Sequence, residues 1–133
     1  MQRRHRLKKS AEFQRVRANK RSWAHPLLVL YIAPNGLDIS RVGISVTKRI
    51  GKAVARNRAK RLIREAVRHY LPGLPSGWDL VFIARAAIAE ASFLQVREAV
   101  ENVLRRARLL RAGQPTPEGQ GQSEDETDSA VLD

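Results

Sequence analysis

One segment of 20 residues, from Lys52 to Leu71, limits what this chain can fold into more than any other part of the sequence. At about 100° per residue, its apolar side chains fall within an arc of roughly 140° on one side of a helix. These side chains are Ala55, Ala59, Leu62, Ile63, Ala66, Val67 and Tyr70. The opposite side carries Asn57, Lys60, Arg61, Arg64 and Arg68, and Arg56 and Arg58 lie on the two flanks. The segment therefore predicts a helix that packs on a sheet and presents a cationic face to solvent.

A run of charges is usually just a solvated face, but the density of this one favours a polyanionic partner. Nine Lys and Arg residues lie between Lys48 and Arg68, and Glu65 is the one acidic residue among them. So many like charges on a short segment repel one another unless a polyanion neutralises them. Arginine outnumbers lysine there, which suits bidentate contacts to phosphates and stacking on bases. The pattern predicts a nucleic-acid binder.

The charges are unevenly distributed along the 133 residues. The chain has 25 Lys and Arg against 13 Asp and Glu, a net charge of +12, and six of the acidic residues lie in residues 112–133. That stretch is rich in Gly, Gln, Pro and Ser, without Lys, Arg or aromatic residues, so it cannot bury enough apolar surface to offset its ordering entropy. We predict a basic RNA-binding domain over residues 1–111 and a disordered acidic tail over residues 112–133. The tail is interpreted as an unselected extension, with a solubilising or self-shielding appendage as the alternative.

Several classes of function find no support in the sequence. There is no Cys, which excludes disulfides and a thiol nucleophile. No apolar run approaches the 20 or so residues that span a bilayer, and no apolar signal core follows the basic start, so we expect a cytoplasmic protein without a membrane partner. The acidic residues outside the tail are scattered, so we expect no catalytic and no metal-binding residue, and Asp79 is interpreted as a cap or turn residue. An autonomous nuclease acting through His5, His25 or His69 stays open as an alternative.

The remaining pattern predicts helices and strands in alternation. The expected elements are a helix over 10–18 capped by Ser10, a weak strand near 22–24, strands over 27–33, 41–47 and 79–84, and a last helix that opens with a Ser92–Gln95 capping box and ends near Gly113. This order predicts an α/β (α+β) two-layer sandwich with one sheet, helices mostly on one face, and the basic helix as a crossover between two strands.

Two aromatic residues have two possible roles. Phe13 lies in the first helix and Tyr31 in the first long strand, and each is a packing residue by default. If that helix and that strand border a cleft, both rings could instead stack on single-stranded nucleotides.

The run from Gly43 to Glu65, GISVTKRIGKAVARNRAKRLIRE, closely resembles the bacterial ribonuclease P protein subunit. The Arg-Asn-Arg triplet at 56–58, followed by Lys-Arg at 60–61 and Arg-Glu at 64–65, resembles the signature helix of that family. The resemblance extends from about Arg4 to Arg111. It implies the two-layer sandwich shared with a ribosomal protein domain, including a left-handed crossover at the signature helix. That hand contradicts the right-handed rule, so pattern alone would predict the opposite.

The resemblance implies a protein that helps a catalytic RNA remove the 5′ leader of precursor tRNA. The implied partners are ribonuclease P RNA and precursor tRNA, not DNA, and the implied cofactors are the RNA subunit and Mg²⁺ held mainly by RNA, whose requirement the protein lowers. Several relatives carry an aromatic residue where this chain has Arg17, so a phosphate or cation–π contact would replace stacking there. A structural ribosomal or ribosome-associated RNA-binding protein is the alternative.

The resemblance also assigns residues to the two RNAs. Leader-binding residues are Phe13, Arg17 and Tyr31. Residues that bind the catalytic RNA are Lys48, Arg49, Arg56, Asn57, Arg58, Lys60, Arg61 and Arg64, to which the pattern adds Arg68. Of these, Asn57, Lys60 and Arg64 can face the leader as well.

Overall fold

The computed structural model describes residues 3–110, and the predicted boundary at residue 111 and the tail over 112–133 lie outside them. The elements are α1 (Ser10–Ala18), β1 (Arg21–Ala24), β2 (Leu28–Pro34), β3 (Arg41–Ser45), α2 (Ala53–Tyr70), β4 (Trp78–Ala84) and α3 (Phe93–Arg106). The predicted order and the α+β two-layer class are confirmed. No helix in this part of the chain is both long enough and apolar enough to cross a membrane.

The four strands form one sheet in the order β1-β2-β4-β3. β2 runs antiparallel to β1 and β4, whereas β3 and β4 are parallel neighbours joined by α2. The crossover is therefore confirmed, and its left-handed course stays a prediction.

The first face of the sheet, as we call it, is covered by α2 and α3. Alternate strand residues such as Leu30 and Phe82 are fully buried against Ile63 of α2 and Leu104 of α3. In α2 the buried residues are Ala59, Ile63, Ala66 and Val67, all members of the predicted apolar arc, while Ala55, Leu62 and Tyr70 are half-buried. The sequence pattern thus identified the side of α2 that packs on the sheet.

The second face carries α1. Val16 of α1 is buried in a small apolar cluster with Leu7, Ala33 and Val81. The expectation of helices mostly on one face is correct for α2 and α3, and α1 is the exception. The predicted cap is wrong, because Ser10 is the first helical residue and Lys9 occupies the N-cap position without a side-chain hydrogen bond.

An N-terminal arm, residues 3–9, runs beside the outer edge of β3. Arg6 forms a parallel bridge with Val42, and the Leu7 N–H donates to the Val42 carbonyl at 2.8 Å. Nδ1 of His5 lies 2.9 Å from the Ser40 carbonyl oxygen. The arm therefore occupies the hydrogen-bonding edge that β3 would otherwise present to solvent.

The predicted start of α3 is confirmed and its predicted end is not. Ser92 Oγ accepts from the Gln95 N–H at 3.1 Å, and Gln95 Oε1 accepts from the Ser92 N–H at 2.9 Å, which completes the capping box. The helix ends at Arg106, because the chain turns into the left-handed region at Arg108 (φ 63°). The predicted end at Gly113 lies outside the described residues.

Candidate nucleic-acid interface

The part of the second face that α1 leaves uncovered is an open cleft of about 1190 Å³. Its floor includes Val29 and Tyr31 of β2, Ile83 of β4 and Ser45 of β3. The strand register explains this grouping, because Ile83 pairs with both Val29 and Ser45 in one row across the sheet. The basic side chains among the lining residues are Arg17, Lys48, Arg49 and Arg85, and none of the lining residues is acidic. The cleft therefore offers a largely apolar floor inside a cationic rim.

Two of the three predicted leader-binding residues meet in this cleft. The guanidinium carbon of Arg17 lies 5.6 Å from the ring centroid of Tyr31, within cation–π range. Tyr31 is half-buried and Arg17 is exposed. A base that reached this ring from the Arg17 side would have to displace the guanidinium or stack on it.

Phe13 belongs to α1, and its side chain does not line the cleft. Its ring is half-buried and packs over Gly43 of β3. A Cβ at position 43 would stand 2.5 Å from Phe13 Cζ and 2.9 Å from Cε2, so only glycine leaves room for the ring. Phe13 therefore holds α1 against the sheet, and contact with an RNA leader stays a prediction for it.

A buried ion-pair network joins α1 to the sheet beside this cleft. Asp79, the second residue of β4, is completely buried, so its interpretation as a cap or turn residue is wrong. Its carboxylate accepts from Arg41 Nε at 2.9 Å and Nη2 at 2.8 Å, from Asn35 Nδ2 at 2.9 Å, and from Arg15 of α1. Arg41 Nη1 also donates to Glu12 of α1 at 3.2 Å.

The network keeps Asp79 ionised. Burial by itself would raise the pKa of Asp79, but hydrogen bonds from Arg41 and Asn35, together with the charges of Arg41 and Arg15, outweigh it and leave the pKa below its usual value. The hydrogen bond to Asp79 in turn raises the pKa of Arg41. Arg15 and Arg41 thus pair with Asp79 inside the protein. A count of basic residues does not distinguish them from the arginines that are available to RNA.

The outer face of α2, centred on Asn57 and Arg61, is the second candidate surface. Asn57, Arg61 and Arg68 are exposed, and Lys60 and Arg64 are half-buried. Within residues 3–110, the side chains of Asn57, Lys60, Arg61 and Arg64 have no hydrogen-bond or ion-pair partner, whereas Arg68 pairs with Glu65 at 2.9 Å. Four polar groups on this face are therefore available to a ligand.

The two flanking arginines of α2 each donate a hydrogen bond to a backbone carbonyl of the protein. Arg58 Nη2 donates to the Ala91 carbonyl at 2.8 Å, just before α3 begins, and Arg56 Nη1 donates to the Gly51 carbonyl at 2.9 Å. Gly51 itself has φ 137°, a backbone conformation that residues with a Cβ rarely adopt. The predicted site residues Arg56 and Arg58 thus also shape the chain at the two places where it enters helices.

Lys48 and Arg49 lie between the two surfaces. They belong to a short 3-10 turn over Lys48–Ile50, between β3 and α2, and both line the cleft. The turn is fixed at its start by Thr47, whose Oγ1 accepts from the Arg49 N–H at 3.3 Å. These two predicted RNA-binding residues are therefore placed to contact a ligand in the cleft as well.

Sequence reasoning missed the cleft residues Val29, Ile83 and Arg85. The available signal was parity, because Val29 and Tyr31 lie on the same side of β2 and Ile83 and Arg85 follow the alternation of β4. Which side of the sheet was left open could not be read from that alternation alone.

The three histidines each make a local contact. His5 contacts the Ser40 carbonyl, and His69 Nε2 lies 3.1 Å from a guanidinium nitrogen of Arg97. His25 Nδ1 accepts from the Leu27 N–H at 3.0 Å, and burial, followed by the charges of Arg106 and Arg85, lowers the pKa of His25. Among residues 3–110, no three His, Asp or Glu side chains come together in a way that could hold a metal ion.

Comparison with known proteins points to one family. The family model described as Ribonuclease P matches residues 1–108. The chain is similar to the ribonuclease P protein component of Caldanaerobacter subterraneus subsp. tengcongensis, at 47% identity over 77% of this chain and 89% of the relative. It is 46% identical to that of Roseiflexus castenholzii, over 84% of this chain and 92% of the relative. Its fold is similar to the RNase P protein of Staphylococcus aureus, with a TM-score of 0.75 and 36% identity over 80% of this chain and 98% of that chain.

Proposed function

This chain belongs to the ribonuclease P protein family, and from that premise we propose how its surfaces are divided between two RNAs. It is the RNA-binding protein subunit of ribonuclease P, the enzyme that removes 5′ leaders from precursor tRNA, and its partners are the RNA subunit and the tRNA substrate. It is part of an enzyme at the level of the holoenzyme. The alternative of a structural ribosomal protein is not favoured.

We propose that the outer face of α2 binds the RNA subunit. The supporting observation is that Asn57, Lys60, Arg61 and Arg64 have no partner within residues 3–110, on a helix held to the sheet by fully buried side chains such as Ile63. A helix fixed in this way presents its guanidinium groups without further ordering, and each group can contact a phosphate. Arg56, Arg58 and Arg68 border this face, and Lys48 and Arg49 extend it toward the cleft.

Arg61→Ala tests this assignment. We expect weaker binding of the RNA subunit and a loss of about 0.7–0.9 from the slope of log K against log salt, because one phosphate contact is removed. Arg68→Ala, which removes the same charge from the same helix, is the matched comparison, and its effect should be smaller because Arg68 already pairs with Glu65. An unchanged slope for Arg61→Ala, measured by titration at several salt concentrations, would exclude a phosphate contact there.

The cleft on the second face is the proposed binding site for the 5′ leader. The observation that carries this assignment is a floor containing Tyr31 inside a rim with Arg17, Lys48, Arg49 and Arg85 and no acidic lining residue. A single strand of RNA needs both elements, because its bases stack on apolar and aromatic surfaces while its phosphates require cations. The Phe13 ring, which packs between α1 and Gly43, would support the site by holding α1 in place.

Tyr31→Ala tests the leader site. We expect binding of leader-bearing precursor tRNA to weaken by about 1–3 kcal/mol, since a base loses its stacking partner, with binding of mature tRNA unchanged. Tyr31→Phe is the matched control and should retain most of the affinity because it retains the ring. An equal loss for mature tRNA would contradict the assignment, as would a loss of folding stability without any effect on the leader.

The proposal extends to Mg²⁺, to the bounds of the RNA-binding domain and to the location of the protein. The described carboxylates do not fit a Mg²⁺ site, because both oxygens of buried Asp79 accept hydrogen bonds from Arg and Asn side chains and no acidic cluster occurs within residues 3–110. We propose that Mg²⁺ is held by the RNA and that the protein lowers the concentration required by neutralising phosphates. We also propose residues 1–111 as the RNA-binding domain, the cytoplasm as its location, and neither DNA nor a membrane as a partner.

A further inference from the structure

The position of α1 decides the shape of the proposed leader site. This helix carries Arg17, which stands over Tyr31, and Phe13, which packs on Gly43. It is only nine residues long, and helices of that length are unstable in water without tertiary contacts. Val16 is its one fully buried residue. With so few buried residues, polar contacts add to the packing of Phe13 on Gly43 in fixing the position of α1.

Apart from Asn19 at the end of α1, whose Nδ2 donates to the Ile32 carbonyl at 3.1 Å, the polar side-chain contacts of α1 centre on one buried carboxylate. Arg15 donates directly to Asp79. Glu12, one helical turn earlier, accepts a hydrogen bond from Arg41. Arg41 in turn donates to Asp79 through two of its nitrogens. Arg15 also donates to the Pro34 carbonyl at 3.2 Å. A forked arginine–carboxylate pair has a fixed geometry, and a buried charge tolerates little displacement of its partners. These polar contacts act together with the Phe13 ring over Gly43 to fix the position of α1.

The strand register connects this network to the cleft. Asp79 pairs with Arg41 in one row of the sheet, and two residues further along β4 the next row on the same face contains Tyr31, Val81 and Gly43. The rows are separated by about 7 Å, two residues of strand. A displacement of α1 at the first row is therefore transmitted to Arg17 and Phe13 at the second.

We propose that Asp79 is a positioning residue for the leader site. It acts through Arg15 and, by way of Arg41, through Glu12 to position α1 so that Arg17 in the rim of the cleft stands over Tyr31 in its floor. The inference rests on the proposed function of the cleft and assigns to Asp79 no contact with RNA. It gives a role to a completely buried carboxylate that lies beside a surface built to attract polyanions.

Glu12→Gln separates this proposal from simple electrostatics. The substitution makes the protein more positive, which by charge alone strengthens attraction for any RNA. A positioning role predicts the opposite for the leader, since the ion pair between α1 and Arg41 is reduced to a hydrogen bond with a neutral amide. Asp38→Asn is the matched control, because Asp38 is exposed between β2 and β3 and has no side-chain partner within residues 3–110. Asp79→Asn, nearly identical in shape, removes the charge at the centre of the network.

The experiment uses the holoenzyme and two substrates, a precursor with a leader of several nucleotides and one with a single-nucleotide leader. For Glu12→Gln we expect KM for the long-leader precursor to rise by about threefold to tenfold with kcat unchanged, and no change for the short leader, since only binding in the cleft is lost. Asp38→Asn should leave both KM values unchanged or slightly lower. Asp79→Asn should reproduce the Glu12→Gln pattern with a larger rise.

Three outcomes decide the matter. If Glu12→Gln and Asp79→Asn both behave like Asp38→Asn while Tyr31→Ala raises KM for the long leader, the network has no positioning role and the leader site stands. If Tyr31→Ala also has no effect, the leader site itself is wrong. If Asp79→Asn fails to fold, Arg15→Gln decides in its place, because Arg15 is the direct link from α1 to Asp79 and its side chain is 45% exposed. A rise in KM confined to the long leader supports the positioning role, and unchanged KM values overturn it.

Discussion

Val81 and Phe82 are neighbours in β4, yet they face two differently built sides of the sheet. Phe82 lies on the first face, where α2 and α3 cover the strands and the buried groups are apolar. Val81 lies on the second face, where α1 covers only part of the strands, an ion-pair network replaces apolar contact around Asp79, and a cleft stays open. Apolar burial on the first face holds the fold together, which leaves the second face free to bind.

Phe82→Ala should have the largest effect on stability. Removing a completely buried ring from the first face should lower the free energy of unfolding by about 3–5 kcal/mol, because it leaves a cavity in the main core. Urea denaturation at neutral pH measures the loss. The comparison between the faces uses Val42→Ala on the first face and Val81→Ala on the second, which remove the same atoms from buried sites, and Val81→Ala should cost clearly less. Equal losses would show that the two faces contribute alike and would remove the contrast.

Gly43→Ala should have an intermediate effect confined to the second face. The added methyl would collide with the Phe13 ring and push α1 outward, at a cost of about 1–3 kcal/mol from overpacking. Denaturation gives the loss, and hydrogen exchange should show faster opening of α1 with α3 unchanged. Phe13→Leu in the Gly43→Ala background should recover part of the stability, since a smaller side chain relieves the collision. A strictly additive pair would contradict the contact.

Acid should loosen the second face before the first, with no effect at neutral pH. The pKa of Asp79 is lower in the folded than in the unfolded protein, so its ion pairs stabilise the fold above the unfolded pKa of about 3.9, and this contribution is lost as the pH falls through the folded-state value. Unfolding free energies measured against pH should therefore converge for the wild type and Asp79→Asn in acid. A constant difference at every pH would contradict the assignment.

The buried side of α2 and the start of α3 could be predicted from the sequence. In α2, the positions of Ile63 and Val67 in the apolar arc identified the buried side, and Ser92 with Gln95 identified the start of α3. These features depend on residues close together in the chain, where helix geometry fixes the spacing.

The features that depend on pairing across the sheet could not be predicted. Asp79 meets Arg41 and Arg15 only because β3 and β4 align side by side and α1 crosses beneath them, and no spacing in the sequence encodes that meeting. For the same reason the place of Arg85 in the cleft and of Phe13 over Gly43 could not be predicted, and the RNA contact of Phe13 stays a prediction. The hydrogen bond from Arg58 to the Ala91 carbonyl could not be predicted either, because it joins residues far apart in the chain.

The arm beside β3 has a consequence for how copies of this protein meet one another. An uncovered strand edge exposes a row of backbone donors and acceptors to which any extended peptide can add, which is a common start of aggregation. Here Arg6 and Leu7 occupy that position at Val42, and the arm brings basic side chains that repel an approaching copy. A protein that must stay dispersed until it meets its RNA is thereby protected along the outer border of its sheet beside β3.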